Sequence, residues 1–171
     1  MAEQGGVGLY GFCWNAPVDR ADVLGLEACC GPLRYDPSRE CCRVRDGVHL
    51  VLKKGVLRRT GYETCVRYSR RSGLHVYAVF DRDAWGFYGD PSFGGMLGLR
   101  PGIVDREYFR GGYCTKQLVF ECRVNVERLR SCIAQRIAHD VDDPPYYSIT
   151  YQNCAWWVRD VYYRCERAAR W

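Results

Sequence analysis

The fold is decided by a strand, a turn and a second strand, which read Leu74-His75-Val76-Tyr77-Ala78-Val79-Phe80, Asp81-Arg82-Asp83-Ala84 and Trp85-Gly86-Phe87-Tyr88. Both outer runs are rich in β-branched and aromatic residues, a composition typical of strands. The run between them begins with charged residues and predicts a tight turn. This part of the chain therefore predicts an antiparallel sheet built around a hairpin.

The residues after the hairpin predict one more strand and two helices. The run 116–124 has strand composition, and Asn125 is a good N-cap for a helix with apolar residues along one face. The loop 140–145 contains Pro144 and Pro145 and ends that helix. An extended segment over 146–150 leads to a second helix after Asn153. Strands followed by helices predict an α+β fold, with an antiparallel sheet packed against the last helix.

The last helix carries the candidate nucleophile, Cys154, in the run Tyr151-Gln152-Asn153-Cys154-Ala155-Trp156-Trp157. Asn153 predicts the N-cap, so Cys154 falls in the first helical turn. Unpaired backbone N–H groups and the positive end of the helix dipole favour the thiolate form of a cysteine at such a place. The thiolate is the attacking form of cysteine, so this position suits a nucleophile.

Eleven cysteines in 171 residues predict disulfides. No Cys-x-x-Cys or Cys-x-x-His pair is present, so no metal or other cofactor is expected. The doublets Cys29-Cys30 and Cys41-Cys42 instead predict two stretches that are each bridged to two different partners. Five disulfides would leave one thiol free, and Cys154 is the cysteine in an activating position. Parity alone leaves Cys154 open as a bridge partner or an inert buried thiol.

Length and composition predict one domain over residues 1–171. Hydrophobic residues make up 47% and charged residues 26%, as in ordinary globular proteins. Residues 1–60 form a Cys-rich segment with little periodicity, and 61–171 form the main body. The net charge of +5 is spread along the chain. It fits a solvated basic face or attraction to an anionic surface, and no nucleic-acid motif accompanies it.

The cysteines predict where the protein works, because disulfides indicate an oxidising compartment such as the periplasm or the extracellular space. The start of the chain, 1–6, has neither a basic segment nor an apolar one, so it predicts no signal peptide. No run approaches the length of a transmembrane helix. The expectation is a chain that lacks its natural start, the tail of a longer exported protein, or export without a cleaved signal.

A nucleophilic cysteine needs a base, and histidine suits that role near neutral pH. The chain has three histidines. His75 begins the strongest strand and is expected at the end of the sheet, where a helix N-terminus can pack against it. His75 is therefore the expected base, followed by His139, which lies beside Asp140, and then by His49. A structural role stays open for each of them.

The strand His75-Val76-Tyr77-Ala78-Val79-Phe80, the return strand ending Phe87-Tyr88-Gly89-Asp90-Pro91, and the helix opening Asn153-Cys154-Ala155-Trp156-Trp157 together resemble the permuted branch of the NlpC-type papain-like superfamily. In that branch the His-bearing strand precedes the Cys-bearing helix. Members include cell-wall amidases and endopeptidases, and lecithin:retinol acyltransferase-like enzymes. The resemblance covers about residues 62–165. The stretch from Tyr35-Asp36-Pro37 to Lys53-Lys54 also resembles segments of bacterial polymorphic-toxin and type VI secretion effector proteins.

The resemblance implies a Cys154–His75 pair that cleaves an amide through a thioester. It also implies a residue that orients the histidine, for which Asp90 is the candidate and Tyr88 and Asp81 are alternatives. Backbone N–H groups at the helix start would stabilise the oxyanion, and the side chain of Gln152 is a further candidate donor.

Aromatic residues near the nucleophile are the candidates for substrate binding, with Tyr88 and Trp156 the chosen pair. Tyr146, Tyr147 and Trp157 are further candidates for the wall of a groove. Aromatic residues beside a helix are also typical of a hydrophobic core.

The function implied is that of a secreted bacterial effector acting as a cysteine amidase or endopeptidase on peptidoglycan peptides. A cognate immunity protein is a candidate partner. The related acyltransferases carry a second histidine near the first, and its absence here favours amide hydrolysis. Two alternatives stay open: a deamidase or acyltransferase toxin acting on a host protein or lipid, and a disulfide-rich binding module without catalysis.

Overall fold

The computed structural model describes residues 28–69, 73–89, 97–107 and 111–171. The chain divides into two compact units. The first unit contains the residues up to 57, together with 120–123 and 171. The second unit contains 58–119 and 124–170. The first unit therefore combines the early part of the chain with two short stretches from later in the sequence.

The described part of the first unit consists of two β-hairpins. Its strands are β1 (Ala28–Cys30), β2 (Leu33–Tyr35), β3 (Glu40–Arg45) and β4 (Val48–Lys53). β1 pairs antiparallel with β2, and β3 with β4. Asp46 and Gly47 connect β3 to β4 with φ angles of 50° and 77°, the left-handed pair that a two-residue type I′ turn requires.

Two disulfides hold the first unit together, joining Cys30 to Cys42 and Cys41 to Cys122. The neighbours Cys41 and Cys42 on β3 are therefore bridged to different partners, as predicted. Cys29 is disulfide-bonded as well.

The remaining strands and both helices build the second unit. The strands are β5 (Leu57–Ser69), β6 (Gly73–Phe80), β7 (Asp83–Tyr88), β8 (Leu97–Pro101), β9 (Ile103–Arg106), β10 (Tyr113–Phe120) and β11 (Tyr146–Ser148). The helices are α1 (Val126–Asp142) and α2 (Cys154–Ala168). Five strands form one sheet in the order β10-β5-β6-β7-β9, and β8 pairs with β11. β6 is thus the central strand of the sheet, with antiparallel partners on both sides.

The hairpin predicted around residues 81–84 is confirmed as the β6–β7 connection. Phe80 pairs with Asp83, and the two residues between them, Asp81 and Arg82, have φ angles of 49° and 77°. These values match a type I′ turn, whose twist suits antiparallel strands. A salt bridge of 2.6 Å from Arg130 of α1 holds Asp81 in place.

The two helices cover one face of the five-stranded sheet. Their buried residues pack with apolar residues of the strands in a single core: from the helices, Leu129, Ile133, Ile137, Trp157, Val158 and Val161; from the strands, Tyr62, Ala78, Phe80, Phe87 and Val104. A disulfide between Cys132 and Cys165 ties α1 to α2. The other face of the sheet carries a smaller apolar cluster around Cys65 and Tyr77, where a disulfide joins Cys65 to Cys114.

Over the described residues, the architecture is therefore mixed α/β, with mostly antiparallel sheets, two helices and several disulfides, which agrees with the predicted class of antiparallel sheet and helices. Both predicted helix starts are confirmed, because Asn125 and Asn153 each accept a hydrogen bond from the backbone N–H three residues later. The strand predicted over 116–124 lies earlier, at Tyr113–Phe120. The long strand β5 was not predicted. Within the described ranges, no helix is both long and apolar enough to cross a membrane.

Candidate functional site

Cys154 is the first residue of α2 and is partly buried. The side chain of Asn153 accepts a 3.0 Å hydrogen bond from the backbone N–H of Trp156, which fixes the first helical turn. No acidic residue lies in that turn. A sulfur at this position therefore faces the positive end of the helix dipole without a competing negative charge in the same turn.

The thiol of Cys154 is free, whereas the other cysteines in the described part of the chain are oxidised. Four bridges take up Cys30, Cys41, Cys42, Cys65, Cys114, Cys122, Cys132 and Cys165, and Cys29 is bonded too. Among these residues Cys154 is the one unpaired cysteine. Cys13 lies outside the described residues. Cys154, the cysteine that the sequence placed in an activating position, is thus a free thiol.

Tyr147 forms a wall beside Cys154. Burial raises the pKa of the Tyr147 hydroxyl, and the nearby charge of Cys154 raises it further. The Tyr147 ring packs on Phe87, with 5.2 Å between ring centroids. A Cβ at Gly89 would lie 2.6 Å from that ring, so the ring occupies space that only glycine leaves open. The Tyr147 ring is therefore fixed by its packing, and its hydroxyl stays protonated near neutral pH.

His75 does not join this site, because its side chain lies on the opposite face of the sheet. Along β6, Val76 and Ala78 pack into the core formed with the helices. Successive side chains of a strand point to opposite faces, so His75 and Tyr77 point away from α2. The structure records no contact between His75 and Cys154. The predicted Cys154–His75 pair is therefore not assembled here.

His75 instead belongs to a buried polar network around Glu107, which is 5% exposed. The Nε2 atom of His75 lies 3.1 Å from a Glu107 carboxylate oxygen. The hydroxyl of Tyr88 donates to the same oxygen over 2.5 Å, and Arg67 lies 3.2 Å from the other oxygen. The Tyr88 ring also stacks on the imidazole, with centroids 4.9 Å apart. Tyr88, a predicted substrate-binding residue, is thus part of the His75 network and not of the Cys154 site.

The electrostatics of this network follow from burial. Desolvation lowers the pKa of His75, and the Arg67 charge lowers it further, while the Glu107 carboxylate opposes both. Burial, followed by the hydrogen bond to Glu107, raises the pKa of the Tyr88 hydroxyl. Both groups are therefore uncharged near neutral pH, with one carboxylate and one guanidinium between them. The hydrogen bonds to Glu107 fix the positions of the His75 ring and the Tyr88 hydroxyl. They lie on the face of the sheet away from the helices.

Of the other predicted site residues, those that the structure describes do not belong to the network around Glu107. Asp90 lies outside the described residues. Gln152 is partly buried, and its backbone carbonyl accepts a hydrogen bond from the backbone N–H of Ser148. Trp156 packs against the edge of the helix-facing core. Trp157 is fully buried and donates from its indole to Asp140, so it is a core residue.

The two remaining histidines differ in position. The ring of His139, on α1 beside α2, lies 3.2 Å from a carboxylate oxygen of Asp140, and its side chain is 60% exposed. The ring of His49 fills the space above Gly31 in the first unit. Of the two, His139 is the one on an element that packs against α2.

Sequence reasoning missed Glu107 and Arg67. Glu107 directly follows β9, and Arg67 is the β5 partner of His75 in the strand register. The signal that could have found Arg67 is cross-strand pairing, which requires β5 to be recognised first.

Metal ligation has little basis in the described residues. Glu63, Cys65 and Cys114 come close enough together to be considered, but the two sulfurs are bonded to each other and offer no thiolate.

No protein-family model, no curated protein and no solved structure matches this chain.

Proposed function

We propose that the chain is an exported cysteine hydrolase of the permuted papain-like type, with Cys154 as its nucleophile. The observation that carries the proposal is the contrast among the cysteines. Nine described cysteines are oxidised, while Cys154 keeps a free thiol at the capped start of α2. A free thiol at the start of a helix, in a chain whose other described cysteines are oxidised, is what a cysteine nucleophile requires.

The proposed reaction cleaves an amide in two steps. The Cys154 sulfur attacks the carbonyl carbon, a C–S bond forms, and the C–N bond breaks as the amine leaves with a proton. Water then attacks the thioester, releasing the acid and restoring the thiol. Backbone N–H groups at the start of α2 stabilise the oxyanion.

The base of this reaction is not His75, given the face on which its side chain lies. His139 is the remaining histidine on an element beside α2, and the Asp140 carboxylate would orient its ring. We assign it as the proton acceptor to be tested. Apo geometry of such pairs is commonly looser than that of the substrate complex.

The substrate class proposed is a peptide amide, with peptidoglycan peptides as the first choice and a cognate immunity protein as partner. The segment before Cys154 supplies exposed apolar and aromatic surface for an extended peptide, since Tyr146, Ile149 and Tyr151 are 55%, 57% and 80% exposed. Such residues beside a nucleophile suit contact with a peptide backbone and its side chains.

The test compares wild-type protein with Cys154→Ala, Cys154→Ser, His139→Ala and His75→Ala. Each is incubated with purified peptidoglycan, and the soluble fragments are identified by mass spectrometry. We expect release of peptide fragments by the wild type, none by the Cys154 variants, and a large loss with His139→Ala. Activity that survives in Cys154→Ala would refute the nucleophile.

A binding module without catalysis is the second candidate, favoured by the separation of His75 from Cys154. Under this alternative the thiol of Cys154 reacts with iodoacetamide no faster than free cysteine at the same pH. No amide substrate would be cleaved, and peptidoglycan or another ligand would be bound unchanged.

A further inference from the structure

We propose that a cavity in the first unit binds a phosphate or sulfate ester. The cavity has a volume of about 340 Å³ and is lined by β3, by the residues after β4 and by the end of β10 with the turn that follows it. This volume lies within the range of small-molecule sites in proteins. All its lining residues belong to the first unit, so the proposal is independent of Cys154.

The charges of the lining residues select an anion. Arg43, Lys54 and Arg123 line the cavity, and no acidic residue does. Within the described ranges, no carboxylate lies within salt-bridge distance of any of the three. Three cations around one small volume repel one another unless an anion lies among them, and the tetrahedral oxygens of a phosphate or sulfate group can accept hydrogen bonds from several such cations at once.

Two of the three cations make hydrogen bonds to backbone carbonyls in the absence of a ligand. Arg43 donates from Nε to the carbonyl of Cys122 over 2.8 Å and from Nη1 to the carbonyl of Cys42 over 2.7 Å. Its Nη2 group has no acceptor in the described part of the chain. Lys54 donates to the carbonyl of Pro37. A site with fixed donors loses little conformational entropy on binding.

The walls of the cavity are covalently fixed and partly apolar. The disulfide between Cys41 and Cys122 joins β3 to the stretch after β10 and lines the cavity. Phe120, which is 43% exposed, adds an aromatic surface, and the Arg123 guanidinium lies 5.6 Å from its ring centroid. Such a wall suits the carbon skeleton of an ester better than a bare inorganic ion. A phosphorylated or sulfated sugar combines the anionic group with a ring of matching size.

The experiment measures binding to the oxidised, full-length protein by isothermal titration calorimetry. The probes are glucose 6-phosphate, glucose 6-sulfate, glucose and inorganic phosphate. Heparin and vesicles containing phosphatidylglycerol test polymeric and lipid sources of the same anions. We expect saturable binding of at least one of the two sugar esters, weaker binding of inorganic phosphate and none of glucose.

Matched variants assign the binding to the cavity. Lys54→Gln and Arg123→Gln each remove one lining charge from an exposed side chain, and about a tenfold loss of affinity is expected from each. Lys53→Gln removes the same charge from the neighbouring residue, which does not line the cavity, and should change the affinity less than about twofold. Equal losses in all three variants would show general charge attraction and overturn the proposal. So would equal affinity for inorganic phosphate and the esters, or binding to heparin and vesicles alone.

Discussion

Replacing His75 by alanine should destabilise the second unit and leave the reactivity of Cys154 unchanged. The Glu107 carboxylate is 5% exposed and receives hydrogen bonds from His75, Tyr88 and Arg67. A hydrogen bond to a charged group contributes about 1.5–3 kcal/mol, and the lost ring also leaves a small cavity. We therefore expect His75→Ala to lower the free energy of unfolding by about 2–3 kcal/mol.

Two measurements on the same samples check this expectation. Denaturant unfolding at pH 7 gives the free energy, and the rate of iodoacetamide labelling in the native protein gives the reactivity of Cys154, with the label located by mass spectrometry. His139→Ala is the control for stability, because a side chain that is 60% exposed should change the free energy by no more than about 0.5 kcal/mol.

One combination of results would refute the reasoning. If His75→Ala slows labelling of Cys154 tenfold or more and leaves stability unchanged, the imidazole acts on the sulfur and not on Glu107. The side of the sheet assigned to His75 would then be wrong. A loss of stability with an unchanged labelling rate would establish the network as structural.

Three further predictions concern stability. The pKa of His75 is lowered in the folded state, so its contribution to stability is present above about pH 6.5 and is lost as the pH falls through the folded pKa. The free energy of unfolding should therefore change less between pH 7 and pH 5 in His75→Ala than in the wild type. The double variant Cys132→Ser with Cys165→Ser removes the bridge that closes a loop with a sequence separation of 33. Because that bridge restricts the entropy of the unfolded chain, the free energy of unfolding measured with denaturant should fall by about 3–4 kcal/mol, and a fall below about 1 kcal/mol would contradict this reason. Arg82→Gly relieves a left-handed backbone at φ 77° and should raise the free energy of unfolding by about 0.5–1 kcal/mol, whereas a decrease would show that the arginine side chain holds the turn.

The sequence predicted those parts of the fold whose signals are local. The β6–β7 hairpin was marked by strand composition around a charged turn, and the starts of α1 and α2 by Asn125 and Asn153. The dipeptide Asp46-Gly47 is an equally strong hairpin signal, and the β3–β4 turn uses it.

The candidate site could be predicted only in part, because its parts meet through tertiary structure. β5 escaped prediction since charged residues such as Arg58 and Arg59 interrupt its apolar pattern. His75 was expected at the end of the sheet, but β6 is central and both its faces are buried: His75 is 7% exposed and Ala78 is fully buried. When both faces of a strand are buried, the alternation of apolar and polar side chains in the sequence does not show which face packs against the helices.

The paired cysteines on β3 impose a requirement on how the chain matures. Because Cys41 and Cys42 are adjacent, either thiol can oxidise with Cys30 while the chain is unfolded. A bridge from Cys41 to Cys30 would put Cys41 in the place that Cys42 has in the native structure. Because neighbouring residues of a strand point to opposite faces, that exchange would reverse every side chain of β3. We therefore expect the native bridges to form once β3 and β4 have found their register, or after exchange has corrected earlier bridges. Oxidative refolding without a thiol–disulfide shuffling reagent should give a mixture in which the native pairing is a minority, and the yield should depend on the catalyst and not on the final stability.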